Sequence, residues 1–219
     1  MVTVRGSQEC VEARLVSGGL RCWCGGRLRG WGHARPRRVA TFAGPEVVRP
    51  RRAMCAGCGR THVLLPSGLL SRRRYSAVVI FAALALRAAG LKVAAVAARL
   101  RLPVPGRAGQ FWSVPASTAG AWLSRFASRA GVLRQALTVV LPVADPQARL
   151  VRPAGSPSGD VLAVLEAVTA GLRARFAGLA TVAAHEVAAH LTGGMLLAPA
   201  LPGLVGNTTW LPVAAVGSS

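Results

Sequence analysis

Acidic side chains are nearly missing from this chain. Seven Asp and Glu stand against 27 Lys and Arg in 219 residues, a formal net charge of +20. Those seven (Glu9, Glu12, Glu46, Asp145, Asp160, Glu166 and Glu186) are scattered, and no grouping among them could hold the catalytic metal ions of a nuclease. The stretch beyond residue 135 is also too short for a ribonuclease-like catalytic domain. Lysine is rarer still, with Lys92 alone. Aromatic residues make up 5% of the chain, so a core must come from Ala, Val and Leu. Long apolar runs are missing despite a mean hydropathy of +0.43. The run 75–89 is short and broken by Arg87, and 161–197 is broken by Glu166, Arg173, Arg175, His185, Glu186 and His190. Neither fits a membrane span. The first ten residues carry no apolar stretch of the kind a secretory signal has, so a cytoplasmic, nucleoid-associated location is expected, where thiols stay reduced. No glycine-rich phosphate loop and no Ser-His-Asp arrangement stand out. His185 and His190 flank Glu186 but are five residues apart. That spacing turns the second by roughly 140° from the first on a helix, which rules out the metalloprotease pattern. The expectation is a protein that is not an enzyme.

What is present is cysteine in two tight pairs. Cys22 and Cys24 are followed by Gly25, and Cys55 and Cys58 by Gly59, with 30 residues between the pairs. Thiolates are the preferred ligands of structural zinc, and a short Cys pair followed by a glycine makes a knuckle whose turn needs positive φ. Two knuckles joined by a β-hairpin form a zinc ribbon. In a reducing compartment a four-Cys zinc site is favoured over disulfides. The four expected ligands are therefore Cys22, Cys24, Cys55 and Cys58. His33 and His62 are reserve ligands if the one-residue spacer of the first pair is too tight to close, and Cys10 is left as a free thiol.

The excess of arginine points to a polyanionic partner, because the planar guanidinium suits phosphates and guanine edges. A GC-rich codon bias explains Arg in place of Lys but not the scarcity of acids. The cations concentrate in the first two thirds of the chain, so the nucleic-acid face is expected there.

Residues 1–21 read as a lead-in, with a helical turn or two over 8–17. The ribbon spans 22–66, with strands at 39–42 and 46–49 around a Gly44-Pro45 turn and a third at 61–65. A helix-turn-helix domain spans 71–138. Its first helix, capped by Ser71, covers 72–89, its second 91–100, and its third, capped by Ser117, runs to 137. Residues 139–159 form a Pro-, Gly- and Ser-rich linker. The segment 160–198 holds a helix capped by Asp160 and another over 181–191, and 199–219 is a flexible tail. The fold class is α+β, mostly α: a small N-terminal β zinc ribbon, a helix-turn-helix domain and C-terminal helices.

In that trihelical plan the third helix meets base edges in the major groove. Ser117, Thr118, Ser124, Arg125 and Arg129 lie on its outward face, while Ala119, Trp122, Leu123, Phe126 and Ala130 form its core face. Arg35, Arg37, Arg38, Arg51, Arg52, Arg72, Arg73 and Arg74 are expected to grip phosphates.

The run 51–66 (RRAMCAGCGRTHVLLP) resembles a zinc ribbon found at the N-terminus of some insertion-sequence transposases. It resembles still more a family of bacterial proteins that join this ribbon to a helix-turn-helix. Residues 31–38 (WGHARPRR) and 114–126 (VPASTAGAWLSRF) fit the same pattern, so the likeness covers about 20–135. It implies DNA binding. Two departures stand out: the short first knuckle, and an insertion at 103–114, with Phe111 and Trp112, where a tight turn should join two helices. The insertion reads as a surface wing or as decay of the motif.

The reading is thus a zinc-stabilised double-stranded-DNA-binding protein, a regulator or a transposition-related recognition module, with structural Zn2+, no membrane partner, and C-terminal helices that cover the core or form a homodimer face. The alternatives are a protein-interaction module on a ribbon platform, an RNA-binding ribbon, and a degenerate mobile-element fragment without activity.

Overall fold

The structure is a computed structural model that describes residues 2–149 and 151–197. The tail expected at 199–219 lies outside the described residues. Strand β1 (Val2–Val4) and helix α1 (Gln8–Val16) come first. Strands β2 (Leu28–His33), β3 (Arg37–Thr41), β4 (Gly44–Val48), β5 (Arg51–Cys55) and β6 (Thr61–Pro66) follow. Then come helices α2 (Ala77–Ala88) and α3 (Val93–Arg99), a hairpin of β7 (Arg101–Pro103) and β8 (Phe111–Ser113), and helices α4 (Ala116–Ala127), α5 (Ala130–Ala144), α6 (Pro157–Arg175) and α7 (Ala184–Leu191). The order of strands before helices confirms the α+β, mostly α class.

Strand β5 is the centre of the N-terminal unit. It pairs antiparallel with β6 on one side and β2 on the other, and β1 joins β6 in parallel, for a sheet order of β1-β6-β5-β2. The β3–β4 hairpin projects from the connection between β2 and β5. Val2, Val4, Val11, Leu15, Leu20, Leu28, Ala53 and Leu64 pack together between the sheet and α1, and Cys22 and Cys55 belong to that same cluster. The lead-in expected at 1–21 is therefore part of the sheet and its cover, because its alternating valines pair with Leu64 and Pro66.

The helical part holds a single apolar cluster that runs from Leu70 to Leu197. Trp122, Leu123 and Phe126 are buried in it, as their helical spacing predicts, and Tyr75 meets Trp122 edge-on with 4.8 Å between ring centroids. The third helix expected over 117–137 is two helices. The Ser128 hydroxyl donates back to the Arg125 carbonyl at 3.0 Å, and such local bonding competes with helix continuation. The linker expected from 139 begins later, after Ala144. Leu133, Leu137, Leu141 and Ala144 keep helical spacing against α6, and this packing outweighs the roughly 3 kcal/mol penalty of Pro142 inside a helix. Residues 71–138 and 160–197 consequently share one core and are not separate units.

Two caps also differ from expectation. Arg72 has φ 56°, in the left-handed region, so α2 cannot begin there and starts after Ser76. Ser156, not Asp160, caps α6 by accepting from the Gly159 amide at 3.1 Å, while Asp160 accepts from Ala154 N. The two parts of the chain are tied together at α7. Glu186 accepts from the Ser67 hydroxyl, and the Thr3 hydroxyl donates to the Ala189 carbonyl.

The insertion at 103–114 is the β7–β8 hairpin. Its Leu102 and Val114 are buried in the core and its Trp112 is packed on it, while Phe111 stays exposed beneath Arg101, 5.2 Å from the ring centroid. The wing alternative is the one this geometry fits. No tight turn joins α3 to α4.

Candidate metal centre

The pairing of β2 with β5 sets Leu28 opposite Cys55, which brings the two knuckles to one end of the sheet. Each knuckle closes by the same bond. Cys22 N donates to the Gly26 carbonyl at 2.8 Å, and Cys55 N donates to the Arg60 carbonyl at 2.9 Å. The first loop is one residue tighter than the second, and this absorbs the short Cys22–Cys24 spacer. Gly25 (φ 82°) and Gly59 (φ 70°) turn the chain after each pair in a region that side chains avoid. Gly26 has a different role: a Cβ on it would sit 2.6 Å from Cys55 Sγ.

The four sulfur atoms lie within 4.8 Å of one another. Cys22 Sγ is 3.7 Å from Cys58 Sγ, and Cys24 Sγ is 3.4 Å from Cys55 Sγ. A regular tetrahedron with metal–sulfur bonds of about 2.3 Å has edges of roughly 3.8 Å. The residues fit a metal ion held by four thiolates. Among the described residues they form the one grouping of three or more His, Cys, Asp and Glu side chains close enough to do so.

The electrostatics agree. Amide donors on Cys58 and Gly57 bring the Cys55 thiol down to about 6 in spite of its burial. Cys24 is pushed up to about 11: the Gly26 amide lowers it, but the crowding of Cys55, Cys58 and Cys22 around it prevails. The Cys55 thiolate therefore forms readily while Cys24 resists ionisation. A shared cation removes that conflict.

Of the two reserve histidines, His33 is exposed beside Arg51 and away from the centre. His62 is buried on β6 with Nε2 3.2 Å from Cys22 Sγ. Cys10 is an exposed free thiol. The pair His185 and His190 builds no centre: His185 packs near Phe81, and His190 is buried with Nδ1 2.9 Å from the Glu186 carbonyl.

The thirteen residues expected to meet DNA divide by environment. Arg35, Arg38, Arg72, Arg74, Ser117, Ser124 and Arg125 are exposed, and Arg52 and Thr118 are half-buried. Four arginines are committed inside the fold. Arg37 donates to the Leu70 carbonyl, Arg51 pairs with Glu12 at 3.0 Å, Arg73 donates to Leu197 O and Arg129 to Leu196 O. Arg73 and Arg129 thus converge on adjacent carbonyls, and Arg125 stands one helical turn before Arg129. Burial lowers the pKa of Arg73, and the charges of Arg125 and Arg129 lower it further. Arg51–Glu12 and Arg134–Asp160 are the ion pairs among the described residues. Neither involves this trio.

Searches against protein families, curated proteins and solved structures gave no match. Among the described residues no helix is long and apolar enough to cross a membrane.

Proposed function

We propose that this chain is a zinc-stabilised DNA-binding protein, a regulator or a transposition-related recognition module of the ribbon-plus-helix family that its sequence resembles. It acts without catalysis, in the cytoplasm on the nucleoid. The observation that carries the reading is the trio Arg73, Arg125 and Arg129, with Arg73 and Arg129 on adjacent carbonyls and no carboxylate paired with any of the three among the described residues, on a chain of net charge +20. Burial and neighbouring positive charge both lower the pKa of Arg73 and Arg129, and a phosphate oxygen would supply the counter-ion they lack. Zinc is structural here: four thiolates close the coordination sphere and leave no position for a substrate.

Binding of a labelled duplex, measured by anisotropy from low to moderate salt, tests the reading. Affinity must fall steeply, with a log–log slope near −0.9 for each phosphate neutralised. Flat salt dependence, or no retention of duplex at low salt, defeats it. Structured RNA as competitor separates the RNA alternative.

A protein partner is favoured by one observation. Val132, Val139 and Val143 on α5 are 55%, 71% and 53% exposed. With Ala136 they follow the 4-3-4 spacing of a helix–helix seam. α5 carries Arg134 as its sole charge, and Asp160 pairs with it at 3.5 Å, so two copies meeting there would bring little unpaired like charge together.

A further inference from the structure

Four thiolates around one divalent ion leave a net charge near −2, which must be offset where water is excluded. The centre is asymmetric in this respect. Cys24 and Cys58 are exposed and meet water, whereas Cys22 and Cys55 are 5% and 1% exposed. Each buried sulfur has a protein nitrogen beside it. Cys55 Sγ accepts from Gly57 N at 3.3 Å and Cys58 N at 3.5 Å. Cys22 Sγ lies 3.2 Å from His62 Nε2.

From this, we infer that His62 is an outer-sphere positioning residue of the metal centre: its Nε2–H donates to the Cys22 thiolate, draws charge from that sulfur and holds it in the tight first knuckle. The inference rests on the four-thiolate metal reading. The imidazole is itself fixed, since β6 pairs its backbone opposite Ala53 and the Trp23 ring lies 6.2 Å away. A ligand role for His62 is not called for, because the four sulfurs, all within 4.8 Å of one another, already supply four ligands. Outer-sphere donors of this kind are worth 10- to 100-fold in metal affinity, and they lower the nucleophilicity of the sulfur they contact.

Three measurements on the full chain test this. Zinc affinity, read by competition with a chromophoric chelator, should fall about 10- to 100-fold in His62→Ala and recover in part in His62→Gln, whose amide N–H can reach the sulfur. The Co2+-loaded protein should keep a four-thiolate ligand-field spectrum in both variants. Iodoacetamide mapping of the zinc-loaded unaltered protein should find Cys24 and Cys58 modified first and Cys22 protected, with protection lost in His62→Ala. Cys22 reacting as fast as Cys58 in the unaltered protein overturns the inference even if neither variant folds. So does an unchanged affinity in His62→Ala, or a Co2+ spectrum that shows a nitrogen ligand lost with the imidazole. An unaltered protein that binds no zinc defeats the metal reading itself, whereas zinc binding indifferent to His62 defeats only this step.

Discussion

Replacing Gly26 by alanine should disable the metal centre although Gly26 is no ligand. The added Cβ would lie 2.6 Å from Cys55 Sγ, 3.0 Å from Gly57 N and 3.3 Å from Cys24 Sγ. Ordinary contact begins near 3.4 Å, so something must move by about 0.8 Å. Metal–sulfur distances tolerate about ±0.2 Å, so the sulfur cannot yield that much and stay bound. The backbone of Gly26 cannot yield either, because its carbonyl accepts the Cys22 amide that closes the first knuckle. The overlap must therefore expel one ligand or open one knuckle. Zinc affinity should drop at least about 100-fold, equivalent to about 2.7 kcal/mol. Chelator competition measures it, and the Co2+ charge-transfer band reports the thiolates that remain. Gly57→Ala is the matched control: its Cβ would meet the Gly26 Cα at 3.5 Å and Cys24 Sγ at 3.7 Å, which is ordinary contact. It should bind within about threefold of the unaltered protein. Parent-like affinity in Gly26→Ala, or an equal loss in Gly57→Ala, would refute the reasoning.

Four further outcomes are expected. Chelation of the metal should unfold the ribbon end of the sheet, lowering amide protection in β2 and β5 while α5 and α6 keep theirs, because the helical core is built without the cysteines. Arg125→Ala should weaken duplex binding and reduce its salt slope by about one, without loss of stability, since Arg125 is exposed; Arg129→Ala should also lower the melting temperature, because Arg129 holds the Leu196 carbonyl. Val139→Glu should abolish any self-association seen by sedimentation at high concentration, and a monomeric parent would dismiss the α5 seam. Burial raises the Glu186 pKa, but the Ser67 hydroxyl and the Ala183 amide prevail and hold it below its ordinary value. A depressed carboxylate stabilises above its unfolded pKa and is lost as pH falls through the folded one. Glu186→Gln should therefore cost about 1 kcal/mol at neutral pH and less below pH 4, by thermal melts at both.

The four-cysteine cluster was legible because its information is local: residue type, spacing and the following glycine are all visible in the chain. His62 was visible as a nearby histidine, but its place outside the ligand set was not. Whether an imidazole coordinates or donates depends on the register of β6 against β5, which no local pattern encodes. Strands β1, β2 and β5 were missed for a related reason. β1 falls in the lead-in and no strand is expected over 28–33 or 51–55, since only pairing makes these residues strands. The division of 117–137 into two helices was hidden because Ala and Leu spacing continues through the break, while one serine hydroxyl ends α4. Pro142 misled in the opposite sense. Its local penalty is real, but a face of four apolar residues against α6 is worth more.

The arginines raise a sharper problem, since composition treats all of them as equivalent. The fold does not. Arg37, Arg73 and Arg129 donate to main-chain carbonyls of distant residues and Arg51 holds Glu12, so these four tie separate segments of the chain together. A guanidinium has five N–H donors, and one spent on a carbonyl leaves the rest and the full charge. Bracing and phosphate binding are therefore compatible in one residue. With lysine the same economy fails, because a single ammonium cannot hold a carbonyl and present a planar fork to a phosphate. That is a physical reason for a basic chain with one lysine, and it goes beyond codon bias: one residue type supplies both the donors that main-chain carbonyls need and the charge that a phosphate needs.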